Sequence, residues 1–205
     1  MRPGWLGLAL LTASVATPAQ PIADQAAFEA ETMRHFQALL RLDTSSPPGN
    51  EVLAVEYLKR IFDQEGIAYQ IFAKDPQRPS LVARLRGSGK KRAVLVMAHT
   101  DVVTVDAPKW TFPPFAAERH GGYVYGRGTL DDKDNLVASV MLMLSIKRAA
   151  PTLDRDVIFL AESGEEGAPD VGAQFMVDQH FDAIDAEFCL AEGGGVQRRE
   201  GSATQ

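Results

Sequence analysis

Apolar residues along the chain fall into two alternating patterns, one at helical spacing and one in short, mostly apolar runs. Behind Asp24, a good helix cap, Met33, Phe36 and Leu40 recur at three- and four-residue steps and predict a helix to about Arg41. Ala54, Tyr57, Leu58, Ile61 and Phe62 form a second stripe, predicting a helix over 51–65 that Gly66 would end. A third stripe, Leu136, Val137, Val140, Met141 and Leu144, predicts a helix to about Ala149. Pro169 and Asp170 open a shorter one that should end near Gln179, with His180 as a partner for its C-terminal dipole. Between the helical stripes lie apolar runs at 67–73, 80–85, 93–98, 156–161 and 186–191, which read as strands. His120-Gly121-Gly122 reads as a hairpin turn, and residues 196–205 show no clear element. Strands alternating with helices, with glycine-rich turns after the strands, predict an α/β sandwich whose helices cover a mostly parallel or mixed sheet.

Chemistry collects where the strand runs stop. The run at 93–98 ends in His99-Thr100-Asp101, and residues i and i+2 of a strand point to the same side. His99 and Asp101 could be a strand-end histidine beside a surface aspartate, or a metal ligand and the carboxylate that orients its ring. The other strand and turn ends shift the balance, since they carry Asp131/Asp132, Glu165/Glu166 and Glu192. Each pair alone has a plain explanation, a helix-dipole partner or a solvated acidic turn. Together at one sheet edge, where open α/β sheets place their ligands, such carboxylates would repel one another and take up protons unless a cation neutralised them. One imidazole with several carboxylates and no thiolate suits Zn2+, or Co2+ or Mn2+, and suits Ca2+ poorly. A carboxylate can bridge two ions about 3.5–4 Å apart, and the Glu165–Glu166 pair offers one ligand and one general base.

The net charge of −6 argues against non-specific nucleic-acid binding, which rests on basic patches. Residues 1–19 have the pattern of a signal peptide: Arg2, an uncharged stretch over 5–16, and Thr17-Pro18-Ala19 as a cleavage site. The stretch is shorter than the about 20 residues of a membrane span, so the expectation is a periplasmic or secreted protein without a stable span. The single cysteine, Cys189, sits among apolar residues and is expected to be a buried, inert thiol. The Asp43–Glu51 loop, with Pro47, Pro48 and Gly49, is either a connector or part of a site. No Gly-x-Ser-x-Gly elbow supports a serine hydrolase.

Met97-Ala98-His99-Thr100-Asp101-Val102-Val103, Tyr125-Gly126-Arg127-Gly128-Thr129-Leu130-Asp131-Asp132-Lys133, Glu165-Glu166-Gly167 and Glu192-Gly193-Gly194 resemble, in order and spacing, the zinc peptidases related to aminoacylase. That family includes acetylornithine deacetylase, succinyl-diaminopimelate desuccinylase and glutamate carboxypeptidase. The resemblance runs from about Asp24 to Gly195. It implies a three-layer, zinc-exopeptidase-like α/β catalytic domain over 24–205, incomplete at its C-terminus. It also implies a dimetal, Zn2+-dependent hydrolase of an amide or peptide bond, acting on a small peptide or N-acyl amino acid through a metal-bound water. His99 and Glu192 would bind one metal, Glu166 the other, and Asp131 both, with the Asp131–Asp132 peptide cis. Asp101 would orient His99, and Glu165 would be the general base. The family's late histidine ligand, and its smaller domain that binds substrate and often forms a homodimer, have no counterpart here; His35, His120 and His180 all come too early. Asp134 stands where the motif usually has glycine. The expectation is a chain with little or no activity by itself and an open sheet edge. The competing expectations are a non-catalytic metal-binding relic of such an enzyme and a plain α/β binding module.

Overall fold

The computed structural model describes residues 24–193, together with the backbone of a two-residue-stranded hairpin beyond them. The signal-peptide stretch at 1–19 lies outside the described residues. Helix α1 (Gln25–Leu40) starts where expected, with the Asp24 carboxylate accepting the N–H of Ala27. Strand β1 (Ser45–Ser46) is a short stop in the proline loop before α2 (Val52–Glu65), which ends at Gly66 in the left-handed conformation. Strands β2 (Tyr69–Phe72), β3 (Ser80–Leu85), β4 (Val94–His99) and β5 (Val102–Val103) follow. Strands β6 (Glu118–His120) and β7 (Tyr123–Tyr125) pair across the Gly121–Gly122 turn. Helix α3 (Lys133–Ala149), β8 (Val157–Glu162), α4 (Ala173–Ile184) and β9 (Phe188–Leu190) complete the sandwich. In the region expected to lack structure, β10 (Arg198–Arg199) pairs antiparallel with β11 (Ser202–Ala203).

The main sheet is mixed, in the order β2-β3-β8-β4-β9. Its β2–β3 and β3–β8 pairs are antiparallel, while β4 pairs in parallel with both β8 and β9. Strand β8 is therefore the centre of the sheet, and all six of its residues are buried. Alternation divides them between two cores. Val157, Phe159 and Ala161 meet a layer containing Leu58, Phe62, Leu136 and Leu144, from α2 and α3. Ile158 and Leu160 meet Phe175, Met176 and Ile184 of α4. The sheet is thus covered on both faces, giving three layers.

Three expectations need correction. Helix α4 begins after a 3-10 turn at Pro169–Val171 and runs on to Ile184, because burial of Ile184 against the sheet carries the helix past Gln179. His180 consequently sits at a kink inside α4, with φ −138° and ψ 27°, packed on Phe72 and Phe175 rather than at a helix end. Cys189 is exposed. Its strand, β9, is bonded only to β4 among the described residues, and its neighbours Phe188 and Leu190 are exposed as well. Among the described residues β9 is an edge strand, and that is why a thiol among apolar residues is not buried.

Candidate metal centre

Because β4, β8 and β9 run parallel, their C-terminal ends share one edge of the sheet. His99 closes β4 and lies in register with Glu162, which closes β8. The His99 ring is buried, and its two nitrogens have different tasks. Nδ1–H donates to the backbone carbonyl of Asp101 at 2.9 Å, with the Asp101 carboxylate 3.4 Å away. A carbonyl can only accept, so this bond fixes the tautomer and leaves Nε2 facing the rim. Asp131 Oδ1 lies 2.9 Å from Nε2, and Glu192 Oε2 lies 3.8 Å from it.

The acids reach the rim in different ways. The Asp131–Asp132 peptide is cis, and the two side chains part company there. Asp131 stays largely exposed and faces His99 Nε2, whereas Asp132 is buried and accepts the backbone N–H of His99 at 3.1 Å. Asp132 therefore anchors the start of α3 to the end of β4, although it does not cap its own helix. Glu165 and Glu166 sit on the loop after β8, and the Asp101 carboxylate accepts both of their backbone N–H groups, at 3.2 and 3.0 Å. Gly164 starts this loop at φ +74°, where an added Cβ would lie 2.4 Å from the Ala168 carbonyl oxygen, so glycine is required.

Two sets of potential ligand atoms lie within 4.8 Å of one another: His99 with Asp132 and Glu192, and His99 with Glu165 and Glu166. The structure thus brings all of the sequence-derived acids to one imidazole. In the first set Asp132 is already engaged by a backbone N–H, and Asp131 is the acid that faces Nε2. Donor atoms on a tetrahedral Zn2+, with bonds of about 2.0–2.2 Å, stand roughly 3.4 Å apart. The observed 2.9 and 3.8 Å separations of Asp131 and Glu192 from Nε2 bracket that value.

The charge balance fits a cation too. Burial draws the His99 imidazole down, but the carboxylates of Asp101, Asp131 and Asp132 outweigh it and push the ring up to about 10. Burial, then the nearby Glu192 and Asp134, push Asp132 up to about 6 against the opposing pull of His99. Burial raises Glu166, and Asp131, Glu165 and Asp101 add to it. Acids held this close retain protons, and a divalent ion would take the place of that positive charge.

Sequence reasoning passed over three residues at this rim. Glu162 follows the apolar run at 156–161, is the last residue of β8 and is buried, its carboxyl pushed up to about 7 by burial. Glu51 and Arg78 are buried and paired, at 2.7 Å. The pairing of β1 with β5 brings the proline loop against the chain just after Asp101, so that loop belongs to the site and is not a plain connector. The aromatic residues after Asp101 pack the β6–β7 hairpin: Phe112 stacks on His120 and meets Tyr125 at a tilt, and the Arg127 guanidinium lies over Trp110.

The model of Peptidase family M20/M25/M40 matches residues 95–203. The chain belongs to that family. It is 32% identical over 154 residues to a probable succinyl-diaminopimelate desuccinylase of Staphylococcus epidermidis, covering 75% of this chain and 37% of that protein. It is 31% identical over 172 residues to the Staphylococcus aureus protein of the same name, covering 82% and 42%. Among solved structures, an M20 family metallo-carboxypeptidase from Sulfolobus solfataricus superposes with a TM-score of 0.69 at 23% identity, over 81% of this chain and 38% of that one. The chain spans less than half the length of these relatives. The family's fold is what the described residues show: a three-layer α/β domain with a candidate metal site at the ends of its parallel strands.

Proposed function

We propose that this chain forms the metal-binding rim of a hydrolase that cleaves an amide or peptide bond, of the carboxypeptidase or N-acyl-amino-acid amidohydrolase type. The observation that carries this reading is the meeting of Asp131, Glu192, Glu165 and Glu166 around one imidazole whose tautomer is fixed by Asp101. In this reading His99, Asp131 and Glu192 would hold one ion, and Glu166, with Asp131, the second. Zn2+ is the favoured ion, with Co2+ or Mn2+ able to use the same ligands. When bound, such ions lower the pKa of a water and polarise the scissile carbonyl. Glu165 would be the general base, able to take a proton from an attacking water and give one to the leaving amine. Asp101 keeps Glu165 in reach by holding its backbone N–H, and keeps His99 Nε2 turned outward.

The relatives' names support an amide as the bond broken, since a desuccinylase and a carboxypeptidase both cleave a carbonyl–nitrogen bond. The substrate proposed is a small peptide or an N-acyl amino acid. Residues 1–19 would direct the protein to the periplasm or out of the cell. The test is a polypeptide of the relatives' length assayed on dipeptides and N-acyl amino acids. Hydrolysis should vanish on chelation and return with Zn2+; hydrolysis that survives chelation contradicts the reading.

A further inference from the structure

A buried ion pair lies behind the acidic loop. The Glu51 side chain is fully buried, and the Arg78 side chain nearly so. Arg78 Nε donates to both Glu51 oxygens, at 3.0 and 3.2 Å, and Nη2 donates to Oε1 at 2.7 Å. The same Nη2 donates to Ser46 Oγ at 3.0 Å and stands 3.7 Å from Asp101 Oδ2. One guanidinium thus lies between two buried carboxylates. Those carboxylates in turn accept three consecutive backbone N–H groups: Gly164 to Glu51 at 3.2 Å, then Glu165 and Glu166 to Asp101. The arrangement extends to the backbone of Arg78, whose carbonyl accepts from Ser163 Oγ at 2.9 Å. Space for the guanidinium comes from Gly49, where an added Cβ would lie 2.2 Å from Arg78 Nε.

We propose that Arg78 is a positioning residue, which through Glu51 and Asp101 sets the direction in which the 164–166 loop presents Glu165 and Glu166 to the metal rim. This rests on the metal-site reading given above. Two carboxylates buried side by side repel unless a cation separates them, so without the guanidinium Asp101 and Glu51 lose the placement that holds three loop amides. The planar fork matters as well as the charge, because one guanidinium addresses Glu51, Ser46 and Asp101 at once; a lysine ammonium supplies a point charge and no fork. A residue that served only to stabilise the fold would weaken all protected amides in step. A positioning residue loosens the loop and the metal ligands it carries ahead of the β8 core.

The test compares wild type, Arg78→Lys, Arg78→Met and Glu51→Gln of this chain by site-resolved amide hydrogen exchange and by calorimetric Zn2+ titration. Protection at Gly164, Glu165 and Glu166 is expected to fall at least tenfold more than protection along β8 in Arg78→Met. The loss should be smaller in Arg78→Lys. Zn2+ affinity should fall by roughly 10–100-fold with the loop, as for other partners that orient metal ligands. Should Arg78→Met fail to fold, Arg78→Lys and Glu51→Gln decide the matter, the latter with Gly164 as the first amide released. Unchanged loop protection, or loop and β8 amides released equally in the folded variants, overturns the proposal. If wild type itself binds no Zn2+, the metal-site reading fails, while the exchange data still decide whether Arg78 holds the loop.

Discussion

In a polypeptide of the relatives' length, Glu165→Gln is expected to lower kcat by about 10²–10⁴-fold, the usual worth of a general base, while leaving the metal content unchanged. Glutamine keeps the size of the side chain and one carbonyl oxygen but cannot accept a proton. The backbone N–H at position 165 still reaches Asp101, so the loop holds its course. Glu166→Gln should behave differently, because its carboxylate is assigned to the second ion, and metal content should fall with activity. Steady-state kinetics with metal analysis of both variants separates the two roles. A Glu165→Gln protein with kcat within a few-fold of wild type would remove Glu165 from the chemistry.

The second large effect is on stability. Glu162 closes β8 with its carboxyl buried and pushed from 4.5 up to about 7, first by burial and then by the nearby Asp101 and Glu165, against the pull of an Ala173 N–H and of His99. The folded pKa lies above the unfolded one, so the folded state binds more protons between these values. The stability this group contributes is complete below pH 4.5 and is lost as pH rises through about 7. A shift of that size corresponds to about 3 kcal/mol. In chelator, Glu162→Gln should therefore gain about 3 kcal/mol relative to wild type between pH 4.5 and pH 8. Urea unfolding of both proteins across that range measures it, and parallel pH profiles would show that folding leaves the pKa of Glu162 unshifted.

Much of the fold was legible because burial on one face leaves a period in the sequence. Ala54, Leu58, Ile61 and Phe62 on α2 and Leu136, Val137, Val140 and Leu144 on α3 lie in the core their spacing predicted. The acids of the rim were legible for a related reason: charged residues directly after buried strands have few structural uses. Other features depend on contacts that spacing does not record. Arg78 sits in a polar stretch, and the partner that justifies its burial, Glu51, is 27 positions away. The apolar run stops at Ala161, yet the β8 ladder to β4 continues through Glu162. The apolar run around Cys189 gave the right strand and the wrong burial, because an edge strand has the composition of a central one before its neighbours are known. Strand β8, antiparallel to β3 and parallel to β4, is the middle of the sheet, and β4, which carries His99, lies next to it.

The central claim is that these acids and one imidazole hold a divalent ion. Calorimetric titration of Zn2+ into the purified, chelator-treated chain tests it most directly, with wild type and Asp131→Ala side by side. Wild type should bind Zn2+ stoichiometrically, and Asp131→Ala should lose more affinity than the roughly 10–100-fold expected for removing an outer partner of a ligand. Stoichiometric binding that is unchanged by Asp131→Ala would contradict the assignment.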